Sequence, residues 1–564
     1  KNHSVAPRTP GASRKKRPKT SGGTARHVSP RMPAAESNRK MSLLVYAAEI
    51  LLLFAVIALV VRFIPDFSKK GAGESTYESS EEQTKEKENP KESSAAQDAS
   101  KPDEDSGGDA ALDGAKIQKA KRPSRPVTEE SEPAEEEKPY VPPTMIVASD
   151  LHYQSPKMTD FRESLDTYTE WNDGTVVPYL DVIADAFLEE VMMKKPSVLI
   201  LSGDISQNGE KVNHQELAKK LKQVQDAGIP VLVIPGNHDI NHPWAASYFD
   251  NKKEEAKGTT PSEFYEIYHE FGYDQASSRD EDSLSYLYRL DEHYWIMMLD
   301  SCIYEPVHET GGRIKKETLA WMERQLEEAK EAGAMVIPVA HHNLLKESTL
   351  YPEECTLENN REVIDLLEEY HLPVYISGHL HLQRIKKNVR GPLEEGEYGI
   401  YEIVSSSLAI PPCQYGIINW TNDGSFRYHT KEVDISGWAE RYQEEDPNLL
   451  NFKEYSSQFL VDIISNQTFK GLESIPDERK REMAQLYGDL NSAYCSGKPI
   501  NAARIKSSRT YFYWERYLGT SKWFDRLSAI LKDTKKDHNS LSLKAGKDFP
   551  AWLPAESGLN MNKE

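Results

Sequence analysis

The 564-residue chain is poor in cysteine, with four: Cys302, Cys355, Cys413 and Cys495. None forms a C-x-x-C pair, so the sequence carries no local dithiol or zinc-ligand motif and no readable disulfide connectivity. Four is also few for a domain of this size held by disulfides, and the simplest role for each is that of a small buried hydrophobe. Positive charge is scarce too. Lys and Arg number 69 against 90 Asp and Glu, a formal net charge of −21. That balance argues against a stable nucleic-acid partner, which needs basic patches to meet its phosphates. It does not exclude a small phosphate-bearing substrate, provided metal ions supply the local positive charge.

Long apolar runs are missing apart from one, at 43–65. It is long enough to cross a bilayer as a helix at about 1.5 Å per residue, with Glu49 as the charge inside it and Arg62 close to its end. Residues 1–42 before it are basic and rich in Pro, Ser and Gly, and read as a disordered tail. Residues 66–140 after it are dominated by Glu, Lys, Ser, Asp, Pro and Ala, and read as a disordered acidic linker. The apolar stretch is longer than a signal-peptide core and lacks a small-x-small cleavage site or a lipobox cysteine. The preferred reading is an uncleaved signal anchor, with a cleaved signal peptide and a buried core helix as alternatives. The N-terminal cations then put the tail in the cytoplasm and the rest of the single-pass protein outside the cell membrane. Met41 as an alternative start would remove much of that bias.

Residues 141–432 are different. Five apolar β-branched runs (145–149, 198–201, 231–234, 335–340 and 374–377) each end on a polar motif. In order the motifs are Asp150-Leu151-His152, Gly203-Asp204, Gly236-Asn237-His238-Asp239, His341-His342 and Gly378-His379-Leu380-His381. Runs of this kind suit strands buried on both faces, and polar residues just past such strands converge on one rim of a sheet. Any one motif alone is usually an ordinary turn; five in order behind five strands point to a shared site. Two Asp, four His and one Asn supply the oxygens and imidazoles for two divalent transition ions (Mn, Fe or Zn) sharing one carboxylate. Such a pair can activate water and clamp a phosphoryl group.

This pattern resembles the calcineurin-like metallophosphoesterase superfamily over roughly 145–430. The resemblance implies Asp150, His152, Asp204 and His381 around one metal, and Asp204 (bridging), Asn237, His341 and His379 around the other. It makes His238 the histidine that donates to a phosphoryl oxygen or leaving group, and Asp204 and His238 the catalytic pair, with a metal-bridging hydroxide as nucleophile. His341 is preferred to His342 because it directly follows the strand; Asp239 is read as capping its turn rather than orienting His238. Protein phosphatases of the superfamily carry Asp-Arg-Gly in the second motif and Glu after G-N-H. Here Gly203-Asp204-Ile205-Ser206 and Asp239 depart from both, which favours the phosphodiesterase branch. A 3′,5′-cyclic nucleotide is that branch's default substrate. Phosphomonoesterase or nucleotidase action on extracellular phosphoesters, or an inert tethered binding protein, are the alternatives. Tyr153, Asn208, His242, Asn343 and Tyr415, all near motifs, are the candidate substrate contacts.

The expected fold is α/β, a two-sheet sandwich flanked by helices at 177–193, 211–228, 261–271, 316–332 and 362–370, with a hairpin at 285–300 and closing strands at 398–407, 414–420 and 425–431. Residues 433–564 carry five segments of helical period and read as a helical domain whose aromatics (Tyr511, Phe512, Tyr513, Trp514, Tyr517) form its core. It resembles the helical domain that follows the phosphoesterase in the bacterial cyclic-nucleotide-phosphodiesterase-like branch.

Overall fold

A computed structural model describes residues 140–160, 173–348, 350, 355–388, 399–473 and 475–550. The basic tail, the apolar segment 43–65 and the acidic linker up to 139 lie outside these residues. No helix among the described residues is long and apolar enough to cross a membrane.

The chain builds two facing sheets. β1 (Thr144–Ala148) is followed by α1 (Leu180–Lys194), β2 (Val198–Leu201), α2 (Lys211–Asp226) and β3 (Val231–Val233), with β1, β2 and β3 paired in parallel. A short hairpin, β4 (Ala246–Phe249) and β5 (Lys252–Glu255), leads to α3 (Pro261–Tyr268). Thr260 and Glu263 close a reciprocal capping box at the start of α3, with Pro261 fixing its first turn. The helix expected over 261–271 ends earlier, because Phe271 and Gly272 leave helical dihedrals. The second sheet contains β6 (Ser278–Arg279), β7 (Tyr286–Arg289) and β8 (Tyr294–Leu299), then α4 (Lys316–Ala332), β9 (Met335–Ala340), α5 (Asn360–Glu369), β10 (Val374–Ser377), β11 (Arg384–Lys387) and β12 (Tyr401–Val404). β13 (Gln414–Trp420) and β14 (Phe426–Glu432) return to the first sheet.

The strand order is β11-β12-β10-β9-β8-β7-β6 in the second sheet. β8 shows how the sequence divides its two faces. Tyr294, Ile296 and Met298 enter the core between the sheets, whereas Trp295, Met297 and Leu299 pack under α4 with Trp321 and Leu326. This two-residue alternation is what makes a wholly apolar strand serve two cores. Burial of each such side chain stabilises by about 1.5–3 kcal/mol.

Beyond β14 come α6 (Ile435–Tyr442), α7 (Pro447–Leu450), α8 (Phe452–Gly471), α9 (Asp477–Cys495), α10 (Ala502–Lys506), α11 (Arg509–Leu518) and α12 (Lys522–Asp533). The five periodic segments fall within five of these; α7 and α10 are too short to show a period. Of the aromatics expected in their core, Trp514 is fully buried while Phe512 stays exposed. The region is not wholly helical. β15 (Ser540–Leu543) pairs antiparallel with β14, giving the first sheet the order β15-β14-β13-β1-β2-β3. The helices also share a core with the loop after β10: Leu380 and Leu382 pack in one cluster with Leu460, Tyr494 and Trp514. Cys302, Cys413 and Cys495 are buried and Cys355 partly so, all four as free thiols.

Candidate metal centre

The five motif loops meet at the ends of β1, β2, β3, β9 and β10. Backbone bonds lace the first two together: Asp150 N donates to Gly203 O (3.1 Å) and His152 N to Asp204 O (2.9 Å). Gly378 N donates to His341 O (3.0 Å), joining the last two. Asp150, His152, Asp204, His379 and His381 all hold left-handed φ values of 44–69°. Non-glycine residues adopt that region at a cost of about 1–3 kcal/mol each, and keep it where the surroundings over-determine it. Gly203 shows how tight the assembly is: its φ is +98°, and a Cβ there would lie 2.6 Å from His341 Nδ1.

The side chains converge in two overlapping groups. Asp150, His152, Asp204 and His381 present ligand atoms within 4.8 Å of one another, and so do Asp204, His341 and His379. In the first, His381 Nε2 lies 3.0 Å from His152 Nε2 and 3.4 Å from Asp150 Oδ1. In the second, His341 Nε2 lies 3.2 Å from Asp204 Oδ2, 3.1 Å from Asn237 Oδ1 and 3.2 Å from His379 Nδ1. Asp204 belongs to both.

The proton positions decide what such a cluster can hold. His341 Nδ1 faces the Ser202 carbonyl at 3.0 Å and must donate to it, which leaves Nε2 as a lone pair. That lone pair faces a carboxylate oxygen and an amide oxygen. His381 repeats the pattern, with Nδ1 bonded to the Asp173 carboxylate and Nε2 turned to Asp150 and His152. Acceptors pointing at acceptors in a buried pocket are unfavourable unless a proton or a metal cation lies between them. The donor set of imidazole, carboxylate and one neutral amide oxygen fits divalent transition ions. Burial pulls His341 down, but the Asp204 carboxylate outweighs it and holds the imidazole up at about 9, so without a metal ion Nε2 carries a proton in the place a bound cation would take. Burial and the neighbouring His381 and His238 push His152 down to about 4.

Residues 143–383 match the family described as calcineurin-like phosphoesterase, and residues 434–537 match the C-terminal domain of cyclic nucleotide phosphodiesterase. The chain carries a calcineurin-like phosphoesterase domain. Two curated proteins described as probable cyclic nucleotide phosphodiesterases are similar to it. One, from Xenorhabdus bovienii, is 22% identical over 188 residues, and one from Vesicomyosocius okutanii is 21% identical over 185. Each match covers 33% of this chain and 62% of the relative's length. Among solved structures, a dimetal phosphatase from Danio rerio shares 13% identity over 52% of this chain and 96% of its own, with a TM-score of 0.36. A purple acid phosphatase from yellow lupin shares 13% identity over 52% of this chain and 51% of its own, with a TM-score of 0.35.

In this phosphoesterase domain the remaining candidate residues separate into two sets. Asn208 and His242 lie at the site. Asn208 Oδ1 and the Gln207 carbonyl sit 3.0 and 3.1 Å from His238 Nδ1, and the ring of His242 stacks on that of His238 at 4.6 Å. Burial, then His238 and His308, push His242 down to about 3, so it is neutral. Tyr153, Asn343 and Tyr415 have polar side-chain atoms engaged inside the protein. Tyr153 is buried with its hydroxyl on Asp181 (2.7 Å), and Tyr415 is buried with its hydroxyl on Glu190 (2.6 Å). Asn343, also buried, donates to Ser377 Oγ (3.0 Å) and Gly378 O (2.9 Å), tying one ligand loop to another. Nearness to a motif along the chain does not set where a side chain points, and all three are buried.

His342 turns away from the cluster towards Ser301 Oγ (2.9 Å) and Thr310 O (3.0 Å). Asp239 makes no bond to the His238 ring; its carboxylate accepts from Ser206 N (2.9 Å), Ile205 N (3.2 Å) and Gly236 N (2.8 Å), capping two motif loops at once. Three residues with no motif signal also matter. Asp173 orients His381. His308 Nε2 donates to the Asn237 carbonyl at 2.6 Å. Glu402, fully buried on β12, accepts from Leu344 N (2.7 Å), Leu345 N (2.6 Å) and Ser377 Oγ (2.6 Å). It thereby couples the segment after His341 to the one before His379.

Proposed function

We propose that this chain is a metal-dependent phosphoesterase that hydrolyses phosphodiesters, 3′,5′-cyclic nucleotides among them. The observation that carries this reading is the double convergence of lone pairs on Asp204. Asp150, His152, Asp204 and His381 would hold one divalent ion, and Asp204, Asn237, His341 and His379 the other. When bound, such a pair supplies Lewis acidity and a water whose pKa is lowered towards neutrality.

The protein's own contribution is to place and discriminate. Asn237 offers a neutral oxygen where a carboxylate would cancel charge, keeping the site positive for an anionic substrate. The contacts of His238 Nδ1 with Asn208 and Gln207 hold that nitrogen as a donor and leave Nε2 for the substrate; in the imidazolium form Nε2 donates its proton to a phosphoryl oxygen or the leaving alkoxide and the ring is left neutral. The hydrogen bonds on Asp204 and Asp150, with Asp173 bonded to His381 Nδ1, hold the site without reorganisation during turnover. The choice of a diester is supported by the departures in the second and third motifs and by the printed descriptions of the relatives. We further propose that residues 43–65 anchor the chain in the cell membrane with the catalytic part outside, on the strength of the apolar run and the cations before it.

Purified protein with Mn²⁺ should hydrolyse bis-p-nitrophenyl phosphate and cyclic AMP, and prefer both to p-nitrophenyl phosphate. Asp204→Ala should lower diester turnover by at least about 10³-fold with an unchanged circular dichroism spectrum. Absence of diester turnover by the Mn²⁺-loaded wild type would refute the proposal.

A further inference from the structure

An aromatic trail leaves the metal centre. His152 meets His238 edge-on at 5.0 Å, His238 stacks on His242 at 4.6 Å, and His242 meets Trp244 edge-on at 5.4 Å. Along it burial falls away: His152 and His242 are buried, whereas Trp244 is 66% exposed. An indole held in the open beside a charged pocket has no core to serve, and Trp244 is the most exposed aromatic among the large hydrophobics of the described residues.

The loop that carries Trp244 is anchored. Asn241 takes a left-handed φ of 51°, its N–H donates to Thr259 O (2.9 Å) and its Nδ2 donates to Tyr304 O (3.2 Å). The same bond draws in the loop of His308, whose ring meets His242 edge-on at 4.8 Å. Trp244 N–H donates to His242 Nδ1 at 3.3 Å, which puts the imidazole proton on Nε2. His242 therefore offers a donor, and His308, whose Nε2 is committed to Asn237, offers Nδ1 as an acceptor. A planar face, one donor and one acceptor stand side by side, two ring contacts away from His238.

We propose that Trp244, with His242 and His308 beside it, is a stacking shelf for the nucleobase of the substrate. It selects nucleotide diesters over aliphatic ones such as glycerophosphodiesters. The inference rests on the phosphoesterase reading of the neighbouring site and adds the residue that sets substrate class. Base stacking tolerates any base, since each presents a π-face, so the shelf favours nucleotides without strong preference among purines.

Two measurements test it. In Mn²⁺-loaded enzyme, Trp244→Ala should reduce the ratio of kcat/KM for cyclic AMP to that for glycerophosphoethanolamine by about 5- to 150-fold, the range spanned by base–aromatic stacking. The fall should come through KM, and Trp244→Phe should recover most of it. In the Asp204→Asn background, calorimetry with AMP and with glycerol 3-phosphate reads binding without turnover. A selective loss of AMP affinity in the Trp244→Ala double variant supports the shelf even if the wild type hydrolyses no diester, in which case only the hydrolytic reading fails. An unchanged ratio, an equal loss for both ligands, or no binding of AMP overturns the shelf.

Discussion

Replacing Glu402 with alanine tests whether a buried carboxyl on β12 holds two metal-ligand loops together. Its oxygens accept two backbone N–H groups, from Leu344 and Leu345, and the Ser377 hydroxyl, all at 2.6–2.7 Å and all buried. The hydroxyl can rotate to another acceptor; the two amides cannot. Each orphaned N–H costs about 1–3 kcal/mol, so Glu402→Ala should destabilise by about 2–6 kcal/mol before any cavity is counted. Glu402→Gln keeps one carbonyl oxygen and should lose about half as much. Because the same contacts set the loops bearing His341 and His379, metal affinity should fall about 10- to 100-fold.

The pH dependence gives the prediction a sign. Burial pushes the Glu402 carboxyl up to about 7, despite the bonds that favour its anion. The unfolded side chain ionises near its ordinary value of about 4.3, so between that pH and about 7 the folded state holds more protons. Stability from this group therefore falls as pH rises through that window and is level above it. Urea unfolding at pH 5, 6, 7 and 8 should show a smaller decline in midpoint for Glu402→Gln than for the wild type. Equal stability and equal metal affinity in Glu402→Ala, or an unchanged pH slope in Glu402→Gln, would refute the reasoning.

Other outcomes follow from the same geometry. Chelation should abolish diester turnover and lower the melting temperature, because converging lone pairs lose their counter-charge; added Mn²⁺ should restore both. Asn208→Ala removes one of two partners of His238 Nδ1 and should lower kcat about tenfold with little change in KM, read by steady-state kinetics. Gly203→Ala puts a Cβ against His341 at a φ of +98° and should reduce bound metal, measured by elemental analysis of the purified protein. Trp514→Ala empties a fully buried site whose Nε1 donates to Met483 O (3.1 Å), and should destabilise by about 3–5 kcal/mol. Since that cluster also contains Leu380 and Leu382, a metal titration of the variant should show weaker binding as well.

Residue order along the chain determined much of this protein. Valine- and isoleucine-rich runs fix where strands form, and the candidate ligand residues follow each run directly, so the strands carry Asp150, Asp204, Asn237, His341 and His379 to one rim. Helical periods in the C-terminal part are equally local. The tertiary structure decided what local pattern cannot express. Strand order brings Glu402 beside Leu344 and Asp173 beside His381, pairs separated by 58 and 208 positions. It also turns Tyr153 and Tyr415 inward although each neighbours a motif or sheet end, and it leaves Trp244 in the open. Periodicity reports which face of its own element a side chain occupies. The groups that meet that face, and the protons they share, are set by packing between elements remote in sequence.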